Sequence, residues 1–130
     1  FIYKTRVHYN HTDAWKIVYH ANYLHFFEAA RTEFLREKGF TLPELEQEYG
    51  IVLALRNINI DYMKPAKLDD ELFVSAKLQE IKKVSMKFLQ TIRANNPESG
   101  IICAMELKLV SVDAKMQVKP IPEIVFNKLN

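Results

Sequence analysis

The stretch His11-Thr12-Asp13-Ala14-Trp15-Lys16-Ile17-Val18-Tyr19-His20-Ala21-Asn22-Tyr23 gathers the polar and aromatic side chains best suited to chemistry. A carboxylate such as Asp13 can attack a carbonyl, take a proton from water, or cap a helix that follows it, and by residue type alone the capping role is commonest. An imidazole such as His20 can donate or accept a hydrogen bond near neutral pH, or close the same helix end. His8, His11, Asp13, His20 and His25 together invite a metal reading. No pair among them has the close ligand spacing of zinc motifs, so neither a metal nor any other cofactor is expected.

Elements that would position these groups follow from periodicity. Tyr3, Val7 and Tyr9 alternate with Lys4, Arg6 and His8, which predicts a half-buried strand from Ile2 to Tyr9. Tyr23, Phe26, Phe27, Ala30, Phe34 and Leu35 then recur at helical spacing, predicting one long helix from Asn22 to Lys38 that ends at Gly39 and runs across the core. On that helix Glu28 and Arg31 are three apart and are expected to form a surface ion pair. Thr41-Leu42-Pro43-Glu44 is a capping box that opens a shorter helix closed by Gly50. Strands are predicted over Ile51–Tyr62, Glu71–Ile81, Val84–Arg93 and Ile101–Val112, linked by ordinary turn residues. The last apolar segment, Ile124 to Leu129, reads as a strand end or one helical turn.

This order makes an α+β fold, a curved antiparallel sheet wrapped around one long helix, in a single domain over residues 1–130. Such a sheet leaves an edge open, and pairing of edges in a homodimer or a dimer of dimers would cover it. A net charge of +2 is too small to suggest a nucleic-acid partner. No apolar run is long enough to suggest a transmembrane segment and no leader is recognisable; with the lone Cys103 in an apolar run, a cytoplasmic location is expected.

Thr12-Asp13-Ala14, Val18-Tyr19-His20-Ala21-Asn22-Tyr23 and Phe26-Phe27-Glu28-Ala29-Ala30-Arg31 resemble the signature of hotdog-fold acyl-CoA thioesterases of the 4-hydroxybenzoyl-CoA thioesterase type. The subgroup most resembled is the short-chain acyl-CoA thioesterases associated with the Tol-Pal system of bacteria. Asp61-Tyr62-Met63-Lys64-Pro65-Ala66-Lys67-Leu68-Asp69-Asp70-Glu71-Leu72 is similar to the family's second block. The resemblance implies hydrolysis of an acyl-CoA, short-chain or aromatic, to a carboxylic acid and coenzyme A. It implies that Asp13 is the catalytic nucleophile or general base, that a backbone N–H near His20 meets the oxyanion, and that His20 and Tyr19 take part, with Asn22 as a secondary contact. It also implies phosphate contacts at Lys82, Lys83 and Ser85, although paired lysines in a turn are usually solvated surface. The alternative is a non-catalytic acyl-thioester-binding or protein-interaction module on the same fold.

The chain departs from the pattern at two places. Trp15 and Lys16 stand where the family has a small residue and then glycine, so the loop is expected to take a different path. Three readings follow: Trp15 narrows the acyl pocket, favouring short acyl groups, while Lys16 lowers the pKa of Asp13 or attracts an anion; both side chains point into solvent; or the site is impaired. His11 stands where an acidic residue is common, which implies an altered pH dependence in a direction that residue type leaves open.

Overall fold

In a computed structural model that describes all of residues 1–130, the elements run β1 (Ile2–Arg6), α1 (Asn22–Glu37), α2 (Leu42–Gln47), β2 (Val52–Tyr62), β3 (Glu71–Ser75), β4 (Lys77–Ile81), β5 (Ser85–Ala94), β6 (Ile101–Val112) and α3 (Glu123–Leu129). The strands form one antiparallel sheet in the order β1-β3-β5-β6-β2, with β4 also paired to β5. α1 lays Tyr23, Phe26, Phe27, Ala30, Phe34 and Leu35 into the core, as its spacing predicts. The core continues through sheet residues such as Leu72, Val74, Phe88, Ile92 and Leu107. This is the hotdog fold.

Local chemistry sets the ends of the helices. Gly39 takes φ +96°, and the Phe40 N–H donates to the Leu35 carbonyl at 2.9 Å, closing α1. At the start of α2 the Thr41 hydroxyl accepts from the Glu44 N–H at 3.2 Å and donates to the Glu44 carboxylate at 3.1 Å, the capping box read from the sequence.

Three expectations are corrected. β1 stops at Arg6, and Tyr9 is 77% exposed rather than facing the core with Val7. Beyond Val7 the chain turns through a single 3-10 turn, Tyr9–His11, because local partners compete with strand pairing: the Tyr9 carbonyl accepts from both the Thr12 N–H and the Thr12 hydroxyl. The predicted strand Glu71–Ile81 is broken at the buried Ala76, whose N–H donates to the Phe1 carbonyl where the pairing with β1 ends, β3 and β4 both being paired to β5. Arg31 is not in a surface ion pair with Glu28; its Nη1 donates to Gln90 Oε1 at 2.8 Å beneath the helix. The C-terminal segment resolves as a helix, with Val125 and Leu129 buried.

β2 is an open edge. It carries the exposed Val52 and Leu55, and the register slips at Arg56, a bulge of the kind that edge strands carry.

Candidate active site

Asp13 opens a tight hairpin between the 3-10 turn and α1. Thr12 bridges to Val18, the Asp13 N–H donates to the Ile17 carbonyl at 3.0 Å, and the Lys16 N–H donates to the Asp13 carbonyl at 3.0 Å. Asp13 Oδ1 accepts from the Trp15 N–H at 2.8 Å and so fastens the turn, while its second oxygen has no protein partner. Lys16 has φ +62°, the left-handed conformation that glycine holds most easily. The turn therefore holds a glycine-like backbone angle with lysine in place. Lys16 is exposed and makes no salt bridge to Asp13, and Trp15 is 84% exposed.

The returning limb is pinned to the segment after β2: Val18 N–H donates to the Ala66 carbonyl at 2.9 Å, and Leu68 N–H to the Lys16 carbonyl at 3.1 Å. It then delivers the chain to the start of α1. There the Asn22 N–H is held by the Tyr19 carbonyl at 2.8 Å and no side chain caps the helix. The amides of His20 and Ala21 donate to no protein acceptor, so they remain available at the positive end of a sixteen-residue helix.

Beside those amides lies an open cavity of about 310 Å³, walled by Ile17, Val18, His20, Tyr23, Tyr62 and Pro65 among others. The Tyr62 hydroxyl donates to the His20 carbonyl at 3.0 Å, and the Tyr23 hydroxyl accepts from the Ala66 N–H at 2.9 Å. Burial raises the pKa of both phenols, which keeps them protonated at neutral pH. The carboxylate of Asp13 is not itself in this wall, but Asp13 sits directly across the hairpin from Ile17, which is. Cys103, on β6 opposite Tyr62, is no competing nucleophile, because burial pushes its thiol up to about 12.

The other predicted residues divide by location. Tyr19 is half exposed and its ring lies against that of His20, centroids 4.4 Å apart. Asn22 turns inward and its Nδ2 donates to the His11 carbonyl at 2.8 Å, which makes it a strut between turn and helix. Lys82 and Lys83 occupy the β4–β5 turn, with Lys82 near Glu80 at 3.6 Å, and Ser85 is buried at the start of β5. Ser85 pairs with Val110 whereas Tyr62 pairs with Cys103, so these three residues lie roughly 23 Å along β6 from the cavity. Tyr62 and the Tyr23 hydroxyl were not singled out by sequence reasoning. Alternation along β2 placed Tyr62 on a face, and nothing in that period encodes a bond to a carbonyl 42 positions earlier.

Comparisons with known proteins agree with this architecture. Residues 16–101 match the family model of the thioesterase superfamily. The chain is 39% identical over 126 residues to an acyl-CoA thioesterase YbgC of Haemophilus influenzae, covering 96% of this chain and 90% of that protein. It is 35% identical to an acyl-CoA thioester hydrolase YbgC of Escherichia coli, covering 96% and 92%. Among solved structures, a protein of Aquifex aeolicus superposes with a TM-score of 0.90 at 33% identity, covering 100% of this chain and 99% of that one. A gentisyl-coenzyme A thioesterase superposes with a TM-score of 0.86 at 27% identity, covering 97% and 99%. With a matching family model over most of its length, close relatives end to end and the same fold around an open helix mouth, the chain belongs to the thioesterase superfamily.

Proposed function

We propose that this chain hydrolyses acyl-CoA thioesters, releasing a carboxylic acid and the thiol of coenzyme A. The observation that carries the reading is the pair of unpartnered amides, His20 and Ala21, beside a cavity and one hairpin away from a carboxylate. Hydrolysis of a thioester develops negative charge on the carbonyl oxygen, and N–H groups already aimed from a helix end stabilise that charge without reorganising. Asp13 would attack the carbonyl carbon or take the proton from the attacking water, and His20 and Tyr19 would orient the thioester at the cavity mouth. A space of about 310 Å³ suits a short aliphatic or an aromatic acyl group.

This reading includes a homodimer. A two-fold axis beside the open edge makes two β2 strands antiparallel, so the Val52 end of one copy lies beside the Tyr62 end of the other. The sheet end that carries Lys82, Lys83 and Ser85 is the Val52 end, which gives the lysines a route to the coenzyme phosphates bound at the partner's cavity. Trp15, outward-facing in one chain, likewise enters acyl selection only through the second copy.

Thiol release from a panel of acyl-CoA esters tests the proposal, with wild type set against Asp13→Asn. Asparagine keeps an Oδ1 to accept the Trp15 N–H, so the turn survives while the base or nucleophile is lost. Turnover of the variant is expected to fall by about a hundredfold or more. Wild-type protein that releases thiol from no ester in the panel would defeat the enzyme reading, and an unimpaired variant would remove Asp13 from it.

A further inference from the structure

His11 sits where three supports of the Asp13 hairpin meet. Its Nδ1 accepts the His8 N–H at 2.8 Å, and its own N–H donates to the His8 carbonyl at 3.0 Å, so the turn before the hairpin is closed twice by this residue. Its carbonyl accepts from the Tyr19 N–H at 3.0 Å and from Asn22 Nδ2 at 2.8 Å, which ties the turn to the start of α1. Its ring packs edge-on against Phe26 of α1, with centroids 4.9 Å apart, and stacks on the ring of His8 at 5.6 Å. One residue thus couples the strand end, the hairpin base and the helix that supplies the free amides, its ring holding His8 and Phe26 and its backbone holding Tyr19 and Asn22.

The acceptor role constrains the protonation state. An Nδ1 that accepts a hydrogen bond carries no proton, so neutral His11 holds its proton on Nε2. A proton added to Nδ1 would set donor against donor and break the contact to His8. We infer that His11 is a positioning residue for the hydrolytic site, and that its protonation at Nδ1 unlocks the turn and loosens the Asp13 hairpin from the start of α1.

The surroundings favour the locked form. The titratable groups acting on the ring are His8, stacked on it from the turn, and His25, reaching it from α1; both oppose a second positive charge nearby. Of the other chemically active groups close in the chain, Asp13 turns an oxygen to the Trp15 N–H, and Asp69 and Asp70 meet the turn through backbone bonds to Val7. Burial first, then His8 and His25, hold the pKa of His11 below the ordinary 6.5. In unfolded chain the imidazole regains its ordinary affinity for protons, so as pH falls the unfolded state takes up the proton first. The stabilising contribution of neutral His11 is therefore complete above 6.5 and drains away as pH falls from there to the lower folded value.

The inference rests on the thioesterase reading for its kinetic consequence and not for its structural one, so two measurements separate them. His11→Asn keeps a δ-position acceptor on Cγ that does not titrate; His11→Ala removes the acceptor. In the pH profile of kcat/KM for thiol release, wild type is expected to lose activity as pH falls below the ordinary 6.5 of histidine, while His11→Asn moves that limb to lower pH. Amide exchange over Thr12–Tyr19, followed by mass spectrometry at pH 7.5 and 5.5, is expected to show protection that acid weakens in wild type, that acid leaves intact in His11→Asn, and that is low at both pH values in His11→Ala. An unshifted acid limb in His11→Asn, or equal acid loss of protection in wild type and His11→Asn, overturns the inference. If no thioester is turned over, the exchange experiment still decides whether His11 locks the turn.

Discussion

Lys16 shows how a single backbone angle can be traced to a measurable stability. At φ +62° its Cβ crowds the following carbonyl, a strain of roughly 1–2 kcal/mol that glycine does not carry. Glycine also gains more freedom when unfolded, which returns part of that difference. Lys16→Gly is therefore expected to stabilise the fold by about 0.5–1 kcal/mol, seen as a melting temperature higher by roughly 2–4 °C. A variant that melts lower would show that the lysine side chain makes a compensating contact. The sequence marked this position correctly as one where glycine is missed, since the need for positive φ after an Asp-led turn is a local property. It did not reveal that lysine would adopt the angle. The pattern around Asp13 marked it as a candidate, whereas the hold of its carboxylate on the Trp15 N–H was not legible, because an Asx-type turn and a carboxylate available for chemistry look alike in one dimension.

At the scale of elements, what proved readable was whatever depends on near neighbours in the chain. The apolar face of α1, its stop at Gly39 and the capping box at Thr41 all follow from spacings of three or four residues. The break at Ala76 and the burial of Arg31 depend on partners far away in sequence, Phe1 in one case and Gln90 in the other. Gln90, itself 1% exposed, accepts from Arg31 and donates through Nε2 to the Phe27 carbonyl at 3.0 Å and the Ser75 carbonyl at 3.1 Å. It thereby ties α1 to the sheet at the point where β3 gives way to β4. Burial pulls the Arg31 guanidinium below its ordinary pKa, a sign of how little water serves it apart from this bond. Gln90→Met fills nearly the same space but leaves Arg31 without its acceptor and two carbonyls without their donor. The expected cost is about 2 kcal/mol in urea unfolding, since a largely buried charged donor loses its partner. A change below about 0.5 kcal/mol would mean that water already satisfies the guanidinium.

The whole molecule presents a sheet closed on one side by α1 and open along β2, with the helix mouth near the Tyr62 end of that edge and the paired lysines at the opposite end of the sheet, in the β4–β5 turn two strands in from the edge. A chain alone keeps these ends roughly 23 Å apart, so a coenzyme reaching from thioester to phosphates would find only one of them. Antiparallel pairing across β2 would replace that separation with about three strand spacings, roughly 14 Å, and would also cover Leu55, which is 59% exposed on the edge. Burying that side chain contributes about 1.5 kcal/mol per copy, or about 3 kcal/mol for a symmetric pair, equivalent to roughly a hundredfold in dissociation constant. Leu55→Asp replaces this burial with a charge on the edge strand of each copy. In sedimentation equilibrium at micromolar concentration the wild type is expected as a dimer, and the variant should weaken by at least that factor. Turnover should fall in parallel, because each cavity would lose the lysines supplied by the other copy. Wild type that sediments as a monomer would refute the edge-paired assembly, while a variant that stays fully dimeric would move the interface away from β2. A monomeric variant with undiminished kcat/KM for acyl-CoA would detach the lysines from coenzyme binding.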